Sequence, residues 1–187
     1  DLIIRYNNFY EGKIMKYETK MEIDLKKLKF NTTLLCESYN DYKYKIANLK
    51  DNAYGMGLKI VNTLVDNGIN YILVGSIKDA LEIRKYNNDI SILVSYYVTE
   101  EQVYDAINNN LTLTVANLKY LENINNLKIR DKLKVQILID NGSNKMGFNN
   151  NLELQEAILL IESNKNLELE GIYTDLTTIG VEDEYYY

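Results

Sequence analysis

Short β-branched apolar runs alternate with longer amphipathic stretches along most of this chain. After a lead-in strand around "MEID", the apolar positions of "LKKLKFNTTLLCESY" recur at helical spacing. They predict a helix from Leu25 to about Tyr39, followed by a strand from Tyr44 to Leu49. The unit then repeats. "LKIVNTLVDNG" predicts a helix closed by Gly68 ahead of the strand "YILV", and "SIKDALEIRKYN" predicts a helix capped by Ser76 ahead of "SILVS". Thr99 and Gln102 have capping-box spacing before the next helix, which leads to "LTLTV". Asn117 opens a further helix before "KLKVQILID", and a last helix from about Asn151 to Asn164 precedes "LELEGIYTD".

Six strands separated by helices read as successive βα units with a parallel sheet, an α/β class. Right-handed crossovers put the C-terminal ends of all the strands on one face, where this architecture places its chemistry. No break in composition marks a linker between domains. The 187 residues suit one ordinary domain or an incomplete piece of a larger one. The tail "VEDEYYY" reads as a frayed terminus.

Composition narrows the chemistry. The formal net charge is −6, with lysines scattered among acids, so there is no basic footprint for nucleic acid or an anionic membrane. Histidine is absent, which removes Ser-His and Cys-His catalysis and every histidine-based metal site. The single cysteine, Cys36, allows no intrachain disulfide and is expected to be a small buried side chain on the first helix. No apolar run approaches the ~20 residues of a membrane span, and the opening lacks a signal peptide's apolar core, so the expected location is the cytoplasm. Proline is absent where average usage gives about nine, a bias of composition that carries no mechanism.

The strand ends are where functional residues concentrate. Lys50 and Asp51 follow one strand, Asp140, Asn141 and Gly142 another, and Thr174 and Asp175 close the last. A lysine at a strand's mouth between apolar walls is a candidate amine nucleophile. "AYGMG" after Lys50 and "NGSNKMGF" around Lys145 both set glycines beside a cation, which suits an anionic, carbonyl-bearing ligand. Other features have plainer accounts. Tyr96 and Tyr97 suit rim or core packing, Glu100 and Glu101 a helix macrodipole, and Asp140 an Asx turn.

These motifs resemble those of the alanine racemase family. "KDNAYGMG" is similar to its lysine signature, "IDNGSNKMGF" to its Asp-Thr-Gly loop, "LELEGIYTDLTT" to its Gly-x-Tyr-Thr-His strand and "MEIDLKKLKFN" to its opening. The resemblance covers about residues 21 to 180. It implies a (β/α)8 barrel domain represented by about six βα units, an N-terminal extension over 1–20, a tail over 181–187, and no C-terminal β-domain. It also implies pyridoxal 5'-phosphate (PLP) as cofactor and an amino acid, alanine, as substrate. Lys50 would bind the cofactor as a Schiff base and act as base on one face of the substrate, and Tyr54 would bond the phosphate. Racemisation needs a second acid on the opposite face, which the family draws from a tyrosine of the other subunit's β-domain. A homodimer or a completing segment is therefore expected.

Departures from the family pattern fall at three site positions. Lys145 stands where the family has an arginine beside the cofactor's phenolic oxygen, keeping the charge without the planar fork. Asp175 replaces a histidine packed on the pyridine face, and Leu138 a lysine that many members carry in carbamylated form. A degenerate PLP-binding fragment and a divergent PLP enzyme for another amino acid are the alternatives. An open six-stranded sheet also predicts an oligomeric or poorly soluble chain.

Overall fold

The computed structural model describes residues 2–10 and 13–176, with side chains from residue 21 onward. The tail from 181 to 187 lies outside the described residues. The chain divides after Ile90 into two compact units.

The first unit opens with β1 (Leu2–Tyr10) and β2 (Lys13–Ile23), an antiparallel pair where the sequence predicts only an extension and one lead-in strand. Asp24 then caps α1 (Leu25–Ser38), its carboxylate accepting from the amides of Lys26 at 2.9 Å and Lys27 at 3.1 Å. Those two amides are orphan donors of the first turn, which is why an aspartate starts the helix here. β3 (Ile46–Asn48) is shorter than the expected strand, and the five-residue α2 (Lys50–Tyr54) follows it. A 3₁₀ turn (Leu58–Ile60) and α3 (Val61–Val65) share the stretch read as one helix. They lead to β4 (Tyr71–Val74) and α4 (Ile77–Arg84), which Ser76 caps as expected. Ile60, Val61, Ile72, Val74, Ile77, Ala80 and Ile83 are buried and form this unit's core.

Cys36 departs from expectation: it is half-buried. A Cβ on Gly68 would lie 2.9 Å from the Cys36 Cβ, so the glycine after α3 lets the chain pass close to α1.

The second unit holds β5 (Ser91–Val94), α5 (Glu100–Asn108), β6 (Thr112–Val115), α6 (Leu118–Asn125), β7 (Leu133–Ile139), α7 (Asn151–Ser163) and β8 (Leu167–Thr174). The predicted capping box forms: the Thr99 hydroxyl accepts from the Gln102 amide at 3.4 Å, and the Gln102 side chain accepts from the Thr99 amide at 2.9 Å. Asn117 caps α6 with its side-chain oxygen alone, which accepts from the Tyr120 amide at 2.8 Å. β6 is buried at every position, as a strand covered on both faces must be. Ile92, Leu113, Val115, Leu133, Val135, Ile137, Leu121 and Ile161 fill the core around it.

The six strands form a parallel sheet in the order β3-β4-β5-β6-β7-β8, the sequential order of consecutive right-handed βα units and part of a TIM barrel. β3 and β8 are the end strands, and both carry exposed apolar residues: Ile46 on β3, Ile172 on β8 and Leu176 just after it. On α1, Phe30, Leu34 and Leu35 are likewise exposed.

Candidate active site

The first candidate segment begins where β3 ends. The Leu49 amide bonds the Leu73 carbonyl at 2.7 Å, the last tie to β4, and the Lys50 amide donates to Asn48 Oδ1 at 3.2 Å. Lys50 is half-buried. Then the chain reverses its hand. Asp51, Asn52, Ala53 and Tyr54 have φ of 52°, 56°, 55° and 53°, so α2 is one left-handed turn built of four consecutive L-residues. This conformation costs roughly 1–2 kcal/mol per residue, less for Asp and Asn, so Ala53 and Tyr54 carry most of the strain. Ala53 is fully buried, while Tyr54 at the end of the turn is 61% exposed.

The other two candidates, Lys145 and Asp175, belong to the second unit. Lys145 is exposed on a loop that folds back onto β7. The Phe148 amide donates to the Leu138 carbonyl at 2.8 Å, and the Asp140 amide donates to the Phe148 carbonyl at 3.0 Å. The expected Asx turn forms, with Asp140 Oδ1 accepting from the Gly142 amide at 3.2 Å and the Ser143 hydroxyl at 3.1 Å. Asp175 is exposed just past β8, and its carbonyl accepts from Asn141 Nδ2 at 2.7 Å. Asn141 thus joins the Lys145 loop to the end of β8. Thr174 Oγ1 adds a bond to the Ile139 carbonyl at 2.8 Å. Leu138 is buried and pairs in register with Tyr173.

Sequence reasoning missed a polar cluster across β6, β7 and β8. Glu170 Oε2 accepts from Thr112 Oγ1 at 3.0 Å and from Gln136 Nε2 at 2.9 Å, and the Thr114 and Tyr173 hydroxyls are 2.8 Å apart. A bulge makes this possible: the register jumps from Val135↔Leu169 to Gln136↔Gly171, leaving Glu170 as the extra residue. Burial holds the Tyr173 phenol above its usual pKa, opposed by the bond to Thr114 and assisted by the charge of Asp175. The alternating threonines of "LTLTV" were the available signal. Tyr96 and Tyr97 are half-exposed, and Tyr97 packs against Tyr120 with centroids 4.7 Å apart, a rim contact of the expected kind.

The family pattern described as alanine racemase, N-terminal domain, matches residues 23–186. This chain belongs to that family. It is 32% identical over 173 residues to an alanine racemase of Halalkalibacterium halodurans, covering 91% of this chain and 45% of that protein. It is 34% identical over 170 residues to one of Methanococcus maripaludis, covering 88% of this chain and 45% of that one. The crystal structure of alanine racemase from E. faecalis superposes with a TM-score of 0.79 at 25% identity, over 88% of this chain and 45% of the other. The chain therefore spans about 45% of the length of these curated relatives. Membership of the family and the barrel-type α/β fold agree with the resemblance read from the motifs. Among the described residues no helix is long and apolar enough to cross a membrane.

Proposed function

We propose that this chain supplies the lysine-bearing part of a PLP-dependent amino-acid racemase acting on alanine. The observation that carries the reading is the turn at "KDNAYGMG": a half-buried lysine follows a parallel strand and opens a left-handed turn ending in a phenol. The donor set fits PLP at two points, an amine for its aldehyde and a phenol for its phosphate. It does not fit at the ring face, because Asp175 cannot stack on a pyridine. Leu138 likewise offers no charge to orient Lys145.

When bound, PLP withdraws electrons from the substrate's α-carbon and so acidifies the proton there. Lys50 Nζ would hold the cofactor and, once displaced by substrate, take or return the proton at Cα on one face. Tyr54 Oη would donate to the phosphate, and Lys145 Nζ would place positive charge beside the phenolic oxygen. Residues 21–180 would form the partial barrel domain, with 1–20 an extension and 181–187 a tail. The opposite-face acid and the remaining strands would come from a further segment or from the second subunit of a homodimer, in the cytoplasm. The exposed apolar residues on the end strands are the kind of surface such an addition would cover.

The test is to incubate the chain with PLP, reduce with borohydride and map the modified peptides. Selective modification of Lys50, abolished in Lys50→Ala, supports the reading. Labelling spread evenly over the lysines sinks it. A second reading, a noncatalytic PLP-holding barrel, is favoured by Asp175 and Leu138. Under it Lys50 is still modified, but neither enantiomer of alanine is converted to the other.

A further inference from the structure

The local preferences of the sequence do not account for α2. Aspartate and asparagine enter the left-handed region with some ease, but alanine and tyrosine avoid it, yet all four residues from Asp51 to Tyr54 adopt it in succession. Backbone bonds close the turn, and its anchors are buried: Leu49, tied to the Leu73 carbonyl at 2.7 Å, and Ala53. The Ala53 amide reaches back to the Leu49 carbonyl at 3.0 Å, and the Met56 amide to the Ala53 carbonyl at 3.0 Å. Asn52 is the hub of the exit: its carbonyl accepts from the Gly55 amide at 3.2 Å and from the Gly57 amide at 2.9 Å. Its side chain is exposed and its φ is 56°. What holds Asn52 in place is therefore its backbone.

A right-handed turn over the same residues would be cheaper, and it would send the side chains that follow Lys50 in different directions. Conformations this costly persist where the surroundings over-determine them, and they cluster at functional sites. Five residues span somewhat more than one helical repeat of either hand, so the end of the turn at Tyr54 returns to the side from which Lys50 departs. We propose that Asn52 is a positioning residue: its left-handed backbone fixes the turn that aims the Lys50 amine and the Tyr54 hydroxyl at one ligand, an aldehyde bearing a phosphate. This rests on the reading of Lys50 as the PLP lysine. Asn52 itself touches no ligand in this scheme.

Two variants of the full chain separate conformation from side chain. Asn52→Gly removes the amide and keeps easy access to positive φ, whereas Asn52→Val removes it and, being β-branched, disfavours that region strongly. Each is measured by Lys50's share of PLP capture under borohydride. Each is also measured, without PLP, by the acetylation rate of Lys50 relative to the other lysines under an acetyl N-hydroxysuccinimide ester. The expected result is that Asn52→Gly stays within about twofold of the unmodified chain on both readouts, while Asn52→Val lowers Lys50's share of capture at least about tenfold and shifts its relative acetylation, because small misplacements of a reacting group cost large factors. Capture at the other lysines and amide-exchange protection of β4 to β8 should be unchanged.

Equal capture in Asn52→Val and the unmodified chain overturns the proposal. So does an Asn52→Gly loss as large as the valine loss, since the side chain would then be what matters. Should Asn52→Val fail to fold, Asn52→Ala takes its place, and an effect between those of glycine and the expected valine loss supports the proposal while none overturns it. If the unmodified chain captures no PLP at Lys50, the cofactor reading fails, and the acetylation series alone then decides whether the turn aims the amine.

Discussion

The two lysine-bearing segments reach positive φ by opposite means. After Lys50, four non-glycine residues occupy the left-handed region before Gly55 at 87° and Gly57 at 84° follow; around Lys145, positive φ is taken by Gly142 at 100°, Gly147 at 128° and Asn144 at 53°, residue types that tolerate it. The first segment stores strain of the order of a few kcal/mol, and the second stores little. Each segment is accordingly sensitive to a different kind of change. A strained turn of ordinary residues has few alternative conformations and is held by its hydrogen bonds. A glycine loop costs little to form, but it depends on the absence of a Cβ at particular points.

Gly147 is such a point in the second segment, and changing it should cost the most. A Cβ on Gly147 would stand 2.4 Å from the Asp140 amide nitrogen, 2.7 Å from the Ile139 carbonyl carbon and 3.0 Å from the Leu138 carbonyl oxygen. These are backbone atoms at the end of β7 and cannot swing aside, so Gly147→Ala must open the bridge between Ile139 and Phe148. The expected loss is about 3 kcal/mol in denaturant unfolding. A loss under about 1 kcal/mol would mean that the loop has room to shift and that the contrast between the two segments is overstated.

A smaller effect asks how far the support of this loop extends into the sheet. Thr114→Val leaves the Tyr173 hydroxyl, two residues before Asp175, without its partner, at an expected cost of about 1 kcal/mol. The pH dependence has a definite sign. Burial raises the Tyr173 pKa above its ordinary 10.0 in the folded chain. The neutral phenol's contribution is therefore complete below about pH 10 and fades as pH rises through the raised value. Tyr173→Phe should accordingly cost stability at neutral pH but lose less of it above pH ~10 than the unmodified chain does. Tyr120, also raised by burial, should keep part of the alkaline sensitivity in that variant. Parallel stability curves for the two chains across that range would show that Tyr173 is not the group responsible.

Much of this was legible beforehand, and the reasons are physical. Apolar runs of strand length between capped amphipathic stretches fix βα units locally, so the six parallel strands and the caps at Ser76, Thr99 and Asn117 could be read directly. The same reading put Lys50 and Asp175 just past strand ends, which is where the chain has them. The hand of the turn after Lys50 was not legible: nothing in "NAY" asks for a left-handed turn, since alanine and tyrosine favour the right-handed one. The polar cluster of Thr112, Gln136 and Glu170 depends on a bulge, and where the extra residue falls is set by the pairing of β8 with β7, which the β8 sequence alone does not specify. The pairing of β1 with β2 escaped for a different reason, that an antiparallel pair near the start is unlike the βα units that follow.

The smallest effect is the most diagnostic for the first segment. Asp51 is exposed, has φ of 52° and contributes to the turn through its carbonyl, which accepts from the Gly55 amide at 3.1 Å. Asp51→Gly keeps that bond and removes the steric cost of the left-handed region, while raising the entropy of the unfolded chain, so the two terms nearly cancel. The expected outcome is a gain of about 0.5 kcal/mol, smaller than for a residue type that tolerates positive φ less well than aspartate. A gain, however slight, means that the surroundings hold the turn against local preference, as the contrast with the Lys145 loop requires. A loss above about 1 kcal/mol would mean that the aspartate side chain itself builds the turn, and the strain would then be local in origin.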